Sequence, residues 1–223
     1  MWQSVEAWIF DLDNTLYPAE CNLFDQVSGR MGQYIADRLD LDPVSARALQ
    51  KQYFRDFGTT LRGLMSEHGV DADDYLAYVH DIDFSAIVAD PALASAMRAL
   101  PGTRIIHTNA SRDYALRVVD RLGLDGLFDD IFDIRDADFL PKPELAGYQT
   151  LIARNGIDPR RAVMVEDIAR NLAPASALGM TTVWLPTASE WSHDGADENF
   201  IDHVIDDLGG WLAGTVAALR PNA

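Results

Sequence analysis

Four short apolar runs rich in β-branched residues constrain this chain more than any other feature. They lie at 5–12 (VEAWIFDL), 103–108 (TRIIHT), 162–166 (AVMVE) and 181–185 (TTVWL), with a weaker fifth near 129–134 (DDIFDI). Short, nearly continuous apolar runs are how strands buried on both faces of a parallel sheet read, and helical patterns between the later runs supply the crossovers such a sheet needs. Ser111 can cap a helix running to Gly123, Pro143 can open one at its first position that ends at Gly156, and Asn171 can cap a third ended by Gly179. The pattern predicts an α/β fold with a doubly wound, Rossmann-like parallel sheet.

Residues 17 to about 90 break the alternation. After the first strand come amphipathic helical segments near 22–39, 43–57, 60–68 and 72–81, with no strand pattern among them. Roughly seventy residues of helix exceed what a crossover requires. We expect an all-helical cap at 17–87 inserted into an α/β core made of 1–16 and 88–223. The polar stretch 186–199 reads as a long surface loop.

Composition narrows the function. The 223 residues are 48% hydrophobic, enough for a full core, and carry a formal net charge of −17. That charge repels nucleic-acid polymers and anionic membrane, so neither is expected as a partner. A small anion is still admissible, because a metal ion and a few local cations can reverse the field inside a cleft. Cys21 is the only cysteine, no apolar run is long enough to span a bilayer, and the opening MWQSVEAWIFDLD has no basic stretch of a signal peptide. A cytoplasmic monomer or homodimer is expected.

The chemistry lies at the strand ends. FDLDNT at 10–15 sets Asp11 and Asp13 two apart, on one side of an extended segment, beyond the carboxyl end of the first strand, where ligands of open α/β sheets bind. Two such anions repel unless a cation holds them, and a hard, oxygen-preferring ion such as Mg²⁺ suits them. Taken alone, Asp13 and Asn14 could equally make the turn that ends the strand. The second strand ends in Thr108 and Asn109, which can donate to phosphate oxygens or simply cap a helix. Pro141, Lys142 and Pro143 set one constrained lysine at a helix start, and Glu166 and Asp167 put a second acid pair at the end of the 162–166 strand, a pair that could also cap.

Acid pair, hydroxyl, lysine and acid pair in that order resemble the four motifs of the haloacid dehalogenase superfamily of phosphatases, matched here by FDLDNT, HTN, Lys142 and VED from Asp11 to about Leu185. The resemblance implies Asp11 as nucleophile and metal ligand, and Asp13 as general acid and then base, with its backbone carbonyl on the metal. It implies Thr108, Asn109 and Lys142 around the phosphoryl group, and Asp167 completing a magnesium site with Glu166 acting directly or through water. Many relatives carry a further acid where this chain has Asn171, which leaves Asn171 as a helix cap.

Substrate choice should rest with the cap. FGTTLRGL at 57–64 together with FDLDNTLYP at 10–18 resembles the pyrimidine 5′-nucleotidase-like branch, which implies a small phosphorylated metabolite such as UMP or CMP. Tyr17, Thr59 and Arg62 are the candidate substrate contacts, the tyrosine by stacking on a base and the arginine by meeting a phosphate or a carbonyl. Rival readings are a haloacid dehalogenase, which does not need Asp13, a phosphosugar mutase of the β-phosphoglucomutase type, a general small-metabolite phosphatase, and a non-catalytic module that accepts phosphate at Asp11 as a signal.

Overall fold

The computed structural model describes residues 2–196 and 199–219. Among the described residues six parallel strands form one sheet: β1 (Ala7–Phe10), β2 (Thr103–His107), β3 (Asp130–Phe132), β4 (Ala162–Glu166), β5 (Thr181–Trp184) and β6 (His203–Val204), in the order β3-β2-β1-β4-β5-β6. The first strand is therefore central. Phe10 is in register with Ile106 of β2 on one side and Val165 of β4 on the other. The chain leaves β1 at the point where strand order reverses, the crevice that open α/β sheets use for ligands.

Period two sorts the strand residues between two layers of helix. Trp8 and Phe10 face one apolar cluster, which α5 (Pro91–Ala99), α6 (Arg112–Leu122) and α9 (Leu208–Leu219) complete; Ala7 and Ile9 face the other, with α7 (Leu145–Asn155) and α8 (Ala173–Leu178). Both faces are covered, which is why the strands read as continuous apolar runs.

The helices expected between the first two strands are α1 (Leu23–Leu39), α2 (Pro43–Phe57), α3 (Thr60–His68) and α4 (Ala72–Val79). Each of α2, α3 and α4 starts at an Asp or Thr whose side chain accepts from backbone N–H groups of the first turn. These four helices pack on one another, α2 against α3 most closely. A Cβ on Gly63 of α3 would stand 2.4 Å from Cγ of Tyr53 on α2, so only glycine allows the approach.

Two local expectations need correction. Pro143 does not open α7: Glu144 donates to the Pro141 carbonyl at 2.8 Å, so residues 141–144 form a turn and the helix begins at Leu145. Asn171 caps nothing; it lies within a 3₁₀ turn (Ala169–Leu172) that runs into α8, and its side chain points back to β4. The stretch 186–199 holds a 3₁₀ turn at Glu190–His193, and its positions 197 and 198 lie outside the described residues. The strand β6 and the helices α5 and α9 were not foreseen.

Candidate active site

The ends of β1 and β4 and the turn at 141–144 converge. Asp11 follows β1 and donates its N–H to the Val165 carbonyl, extending the ladder by one rung before the chain turns away. Lys142 Nζ, buried to 3% exposure, donates to Asp11 Oδ1 at 2.5 Å, to Glu166 Oε1 at 3.0 Å and to the His107 carbonyl at 3.0 Å. All three donors of the ammonium are thus spent. Its backbone N–H is held by Asn109 Oδ1 at 2.8 Å, so Asn109 fixes the lysine from behind. Thr15 donates to the second oxygen of Asp11 at 3.1 Å.

Asp11, Glu166 and Asp167 are all buried and bring one carboxylate oxygen each within 4.8 Å of the others. Three carboxylates against one ammonium leave two negative charges uncompensated, and the electrostatics register this. Burial first, and Glu166 next, push the Asp11 carboxyl up to about 8 despite Lys142. Burial, Glu166 and Asp11 raise Asp167 well above the usual carboxylate range. Burial works against the charge of Lys142, but Asp11 and Glu166 outweigh it and hold the ammonium charged. An all-oxygen set with this deficit is what a hard divalent cation would relieve.

The supporting contacts keep these acids in place. Asn171 donates its amide to Glu166 Oε1, while the Asp167 N–H donates to Glu166 Oε2 at 2.8 Å. Asn14 reaches Asp167 Oδ2 at 3.5 Å, and Trp184 and Ser192 both donate to the Asp167 carbonyl, at 2.9 and 2.5 Å. Thr108 is buried; its hydroxyl accepts from Ala110 N–H at 3.0 Å and, among the described residues, donates to no partner.

Asp13 makes its own set of hydrogen bonds. Its Oδ1 accepts from the hydroxyls of Tyr17 at 2.5 Å and Tyr114 at 2.8 Å. Burial raises its pKa, and the two hydroxyl donors oppose the rise. Tyr17 is 1% exposed, so its ring offers no face to a base and its hydroxyl belongs to the acid. Thr59 caps α3 by accepting from Arg62 N–H, and Arg62 pairs with Glu144 at 2.9 Å. Among the described residues, neither Thr59 nor Arg62 makes a hydrogen bond or ion pair to the acid cluster. The pair does tie α3 to the turn that carries Lys142.

Thr15, Tyr114 and the true partner of Asn171 escaped the sequence reading. Thr15 sits four residues after Asp11 and could have been suspected. Tyr114 is 101 residues from Asp13, and nothing local in YALRVV marks it as different from core filler.

A family model described as haloacid dehalogenase-like hydrolase matches residues 5–179. The chain is 24% identical over 193 residues to phosphate metabolism protein 8 of Saccharomyces cerevisiae, covering 78% of this chain and 60% of that protein. It is 28% identical over 196 residues to phosphoglycolate phosphatase of Rhodospirillum rubrum, covering 80% of this chain and 78% of that protein. Among solved structures, a HAD phosphatase from Thermococcus onnurineus aligns with a TM-score of 0.59 at 20% identity, covering 90% of this chain and 93% of that one. The β-phosphoglucomutase of Clostridium difficile aligns with a TM-score of 0.60 at 16% identity over 96% and 98%. At these identities the two structures speak for the fold alone.

Proposed function

The chain belongs to the haloacid dehalogenase-like hydrolases, and on that premise we propose that it hydrolyses phosphomonoesters through an aspartyl-phosphate on Asp11. The observation that carries the reading is the pairing of two acids in different environments. Asp11 is bound to Lys142 beside two further carboxylates, and Asp13 is held by two hydroxyls. Displacement of halide would need only the first acid. An ester also needs a proton for its leaving oxygen, and Asp13 is the group to provide it.

In the first step an Asp11 oxygen bonds to phosphorus as the ester P–O bond breaks; the electron pair goes to the leaving oxygen, which takes the Asp13 proton. In the second, Asp13 takes a proton from water as that water attacks phosphorus and returns Asp11 as carboxylate. The Thr108 O–H, which has no acceptor among the described residues, is the candidate donor to the phosphoryl oxygens; Lys142, whose three N–H bonds are already made, would contribute its positive charge beside Asp11, and Asn109 keeps it in line.

Mg²⁺ is the cofactor of this reading. Asp11, Asp167 and the Asp13 carbonyl would hold it, with Glu166 acting directly or through water. Bound there, it supplies positive charge against the phosphoryl oxygens. The division into 1–16 with 88–223 around a cap at 17–87 belongs to the same proposal, with a small phosphorylated metabolite entering between them.

For the substrate we retain a pyrimidine nucleoside 5′-monophosphate, supported by FDLDNTLYP and FGTTLRGL alone, since Tyr17 is buried and Arg62 is taken by Glu144. The test is phosphate release with Mg²⁺ from UMP, CMP, phosphoglycolate, sugar phosphates and p-nitrophenyl phosphate, with acid-quench trapping of a hydroxylamine-labile phosphoprotein. Turnover with a trapped intermediate that Asp11→Asn abolishes is expected. Preference for phosphoglycolate over UMP and CMP would overturn the nucleotide assignment, and a long-lived phosphoprotein without turnover would overturn the hydrolase.

A further inference from the structure

Asp13 has an unusual set of partners for a group that must give up and recover a proton. Oδ1 accepts two hydrogen bonds, from Tyr17 at 2.5 Å and from Tyr114 at 2.8 Å, whereas Oδ2 accepts none among the described residues. The two hydroxyl oxygens are 3.3 Å apart, so they flank the same acceptor. A phenol has one proton, and both are spent on Oδ1. An oxygen already taking two donated protons cannot carry an acid proton of its own without displacing one. The acidic proton of Asp13 therefore belongs on Oδ2.

Both tyrosines are rigidly set. Tyr17 is 1% exposed in the loop that leaves β1, and Tyr114, also 1% exposed, projects from the first turn of α6, whose capping Ser111 accepts from Tyr114 N–H. The Tyr114 ring stacks on His80 at 4.3 Å between centroids, and His80 is itself pinned by Ser111 through Nδ1 at 2.9 Å. Neither ring can swing without breaking packing, so the carboxyl they hold is oriented before any substrate arrives.

We propose that Tyr17 and Tyr114 are positioning residues for proton delivery: they bind the Asp13 carboxyl by Oδ1 and leave Oδ2 as the oxygen that protonates the departing alkoxide. This rests on the phosphomonoester reading given above. Its signature is a dependence on the leaving group. A p-nitrophenolate departs with little help from an acid, while an alkoxide needs the proton, so loss of positioning falls on alkyl esters.

The experiment measures kcat/KM, which reports steps up to leaving-group departure, for p-nitrophenyl phosphate and β-glycerophosphate in the full chain with Mg²⁺. Tyr114→Phe and Tyr17→Phe keep the rings and remove the hydroxyls. Each should lower the β-glycerophosphate value about tenfold or more beyond its loss with p-nitrophenyl phosphate, at a melting temperature that shows the protein folded. Equal losses on both esters, or no loss on either, in both variants would overturn the assignment. Asp13→Asn separates this from failure of the parent reading. If it shows the same skew and the tyrosine variants do not, the positioning role is wrong and the general acid stands. If it falls equally on both esters, Asp13 is not the acid and both readings fall.

Discussion

Lys142 Nζ lies 2.5 Å from Asp11 Oδ1 and 3.0 Å from Glu166 Oε1, so one buried ammonium holds together two carboxylates at the ends of different strands. A buried pair is seldom a net source of stability, but removing one partner leaves charge stranded in a low-dielectric site. Lys142→Met is therefore expected to cost several kcal/mol, of the order of 3–5, as well as abolishing turnover. Urea unfolding of Lys142→Met beside Asp11→Asn checks this. Asp11→Asn puts a neutral group where burial and Glu166 already disfavour the carboxylate, and should be far less damaging to the fold. If Lys142→Met were the more stable of the two, the lysine would not be the cluster's counter-charge.

The charge deficit at Asp11, Glu166 and Asp167 makes a prediction independent of turnover. Mg²⁺ at about a hundred times its dissociation constant should stabilise the fold by about 2.7 kcal/mol through binding to the native state alone. Differential scanning calorimetry with Mg²⁺ and with EDTA reads it as a rise in melting temperature. Asp167→Asn should shrink the rise, and an undiminished rise in that variant would place the ion elsewhere.

How much of this was legible in the chain depended on the range of the interaction. Strands and cap helices announce themselves through apolar periodicity and local caps such as Asp42, Thr59 and Asp71, because the physics that forms them acts within a few residues. The strand ends were legible because the parallel topology brings carboxyl edges together whatever the intervening sequence. Tyr114 was not, because its role depends on how α6 lies over the loop after β1. Pro143 and Asn171 misled for the opposite reason: each has a strong local meaning that a tertiary contact replaces, the turn to Pro141 in one case and the bond to Glu166 in the other.

Gly63 allows a test of cap packing. A methyl at this position meets the Tyr53 ring at 2.4 Å, and the ring cannot retreat freely, since its hydroxyl is bonded to His68 at 2.7 Å. Gly63→Ala gains helix propensity of up to about 1 kcal/mol but should lose about 1–3 kcal/mol to overpacking. A net lowering of the melting temperature is expected, and a rise would show that α2 and α3 can separate at no cost.

His80 predicts a pH dependence of stability. Burial, then the charges of Arg135 and Arg117, pull its pKa down to about 3, so it is neutral in the folded protein while the unfolded chain protonates near 6.5. Below pH 6.5 the unfolded state binds the extra proton. Stability is therefore lost as pH falls from 6.5 toward 3, by at most about 1.4 kcal/mol per pH unit from this residue. His80→Gln lacks that slope. Unfolding free energies of the two proteins, measured from pH 7.5 to 5, should converge as pH falls, with terms common to both cancelling. Parallel curves would mean that His80 is protonated alike in both states.

Asn171 has the last word on how the acid cluster is supported. Its amide donates to Glu166 Oε1, the oxygen that also takes a bond from Lys142, and its carbonyl accepts from Tyr148 at 2.6 Å, so the 3₁₀ turn is tied to β4 at one end and to α7 at the other. Asn171→Ala keeps the backbone bond to Tyr148 but frees one side of Glu166, which can then rotate away from Asp167. The expected result is a loss of stability of about 1.5–3 kcal/mol for a buried hydrogen bond to a charged group. Weaker Mg²⁺ binding should accompany it, by roughly tenfold or more, as for other groups that orient a ligand. Asn171→Asp adds a fourth negative charge beside Glu166 and should destabilise the metal-free protein more than Asn171→Ala does, with Mg²⁺ narrowing the gap. Calorimetric titration of Mg²⁺ into each variant decides the matter: unchanged affinity in Asn171→Ala would reduce the residue to a structural tie.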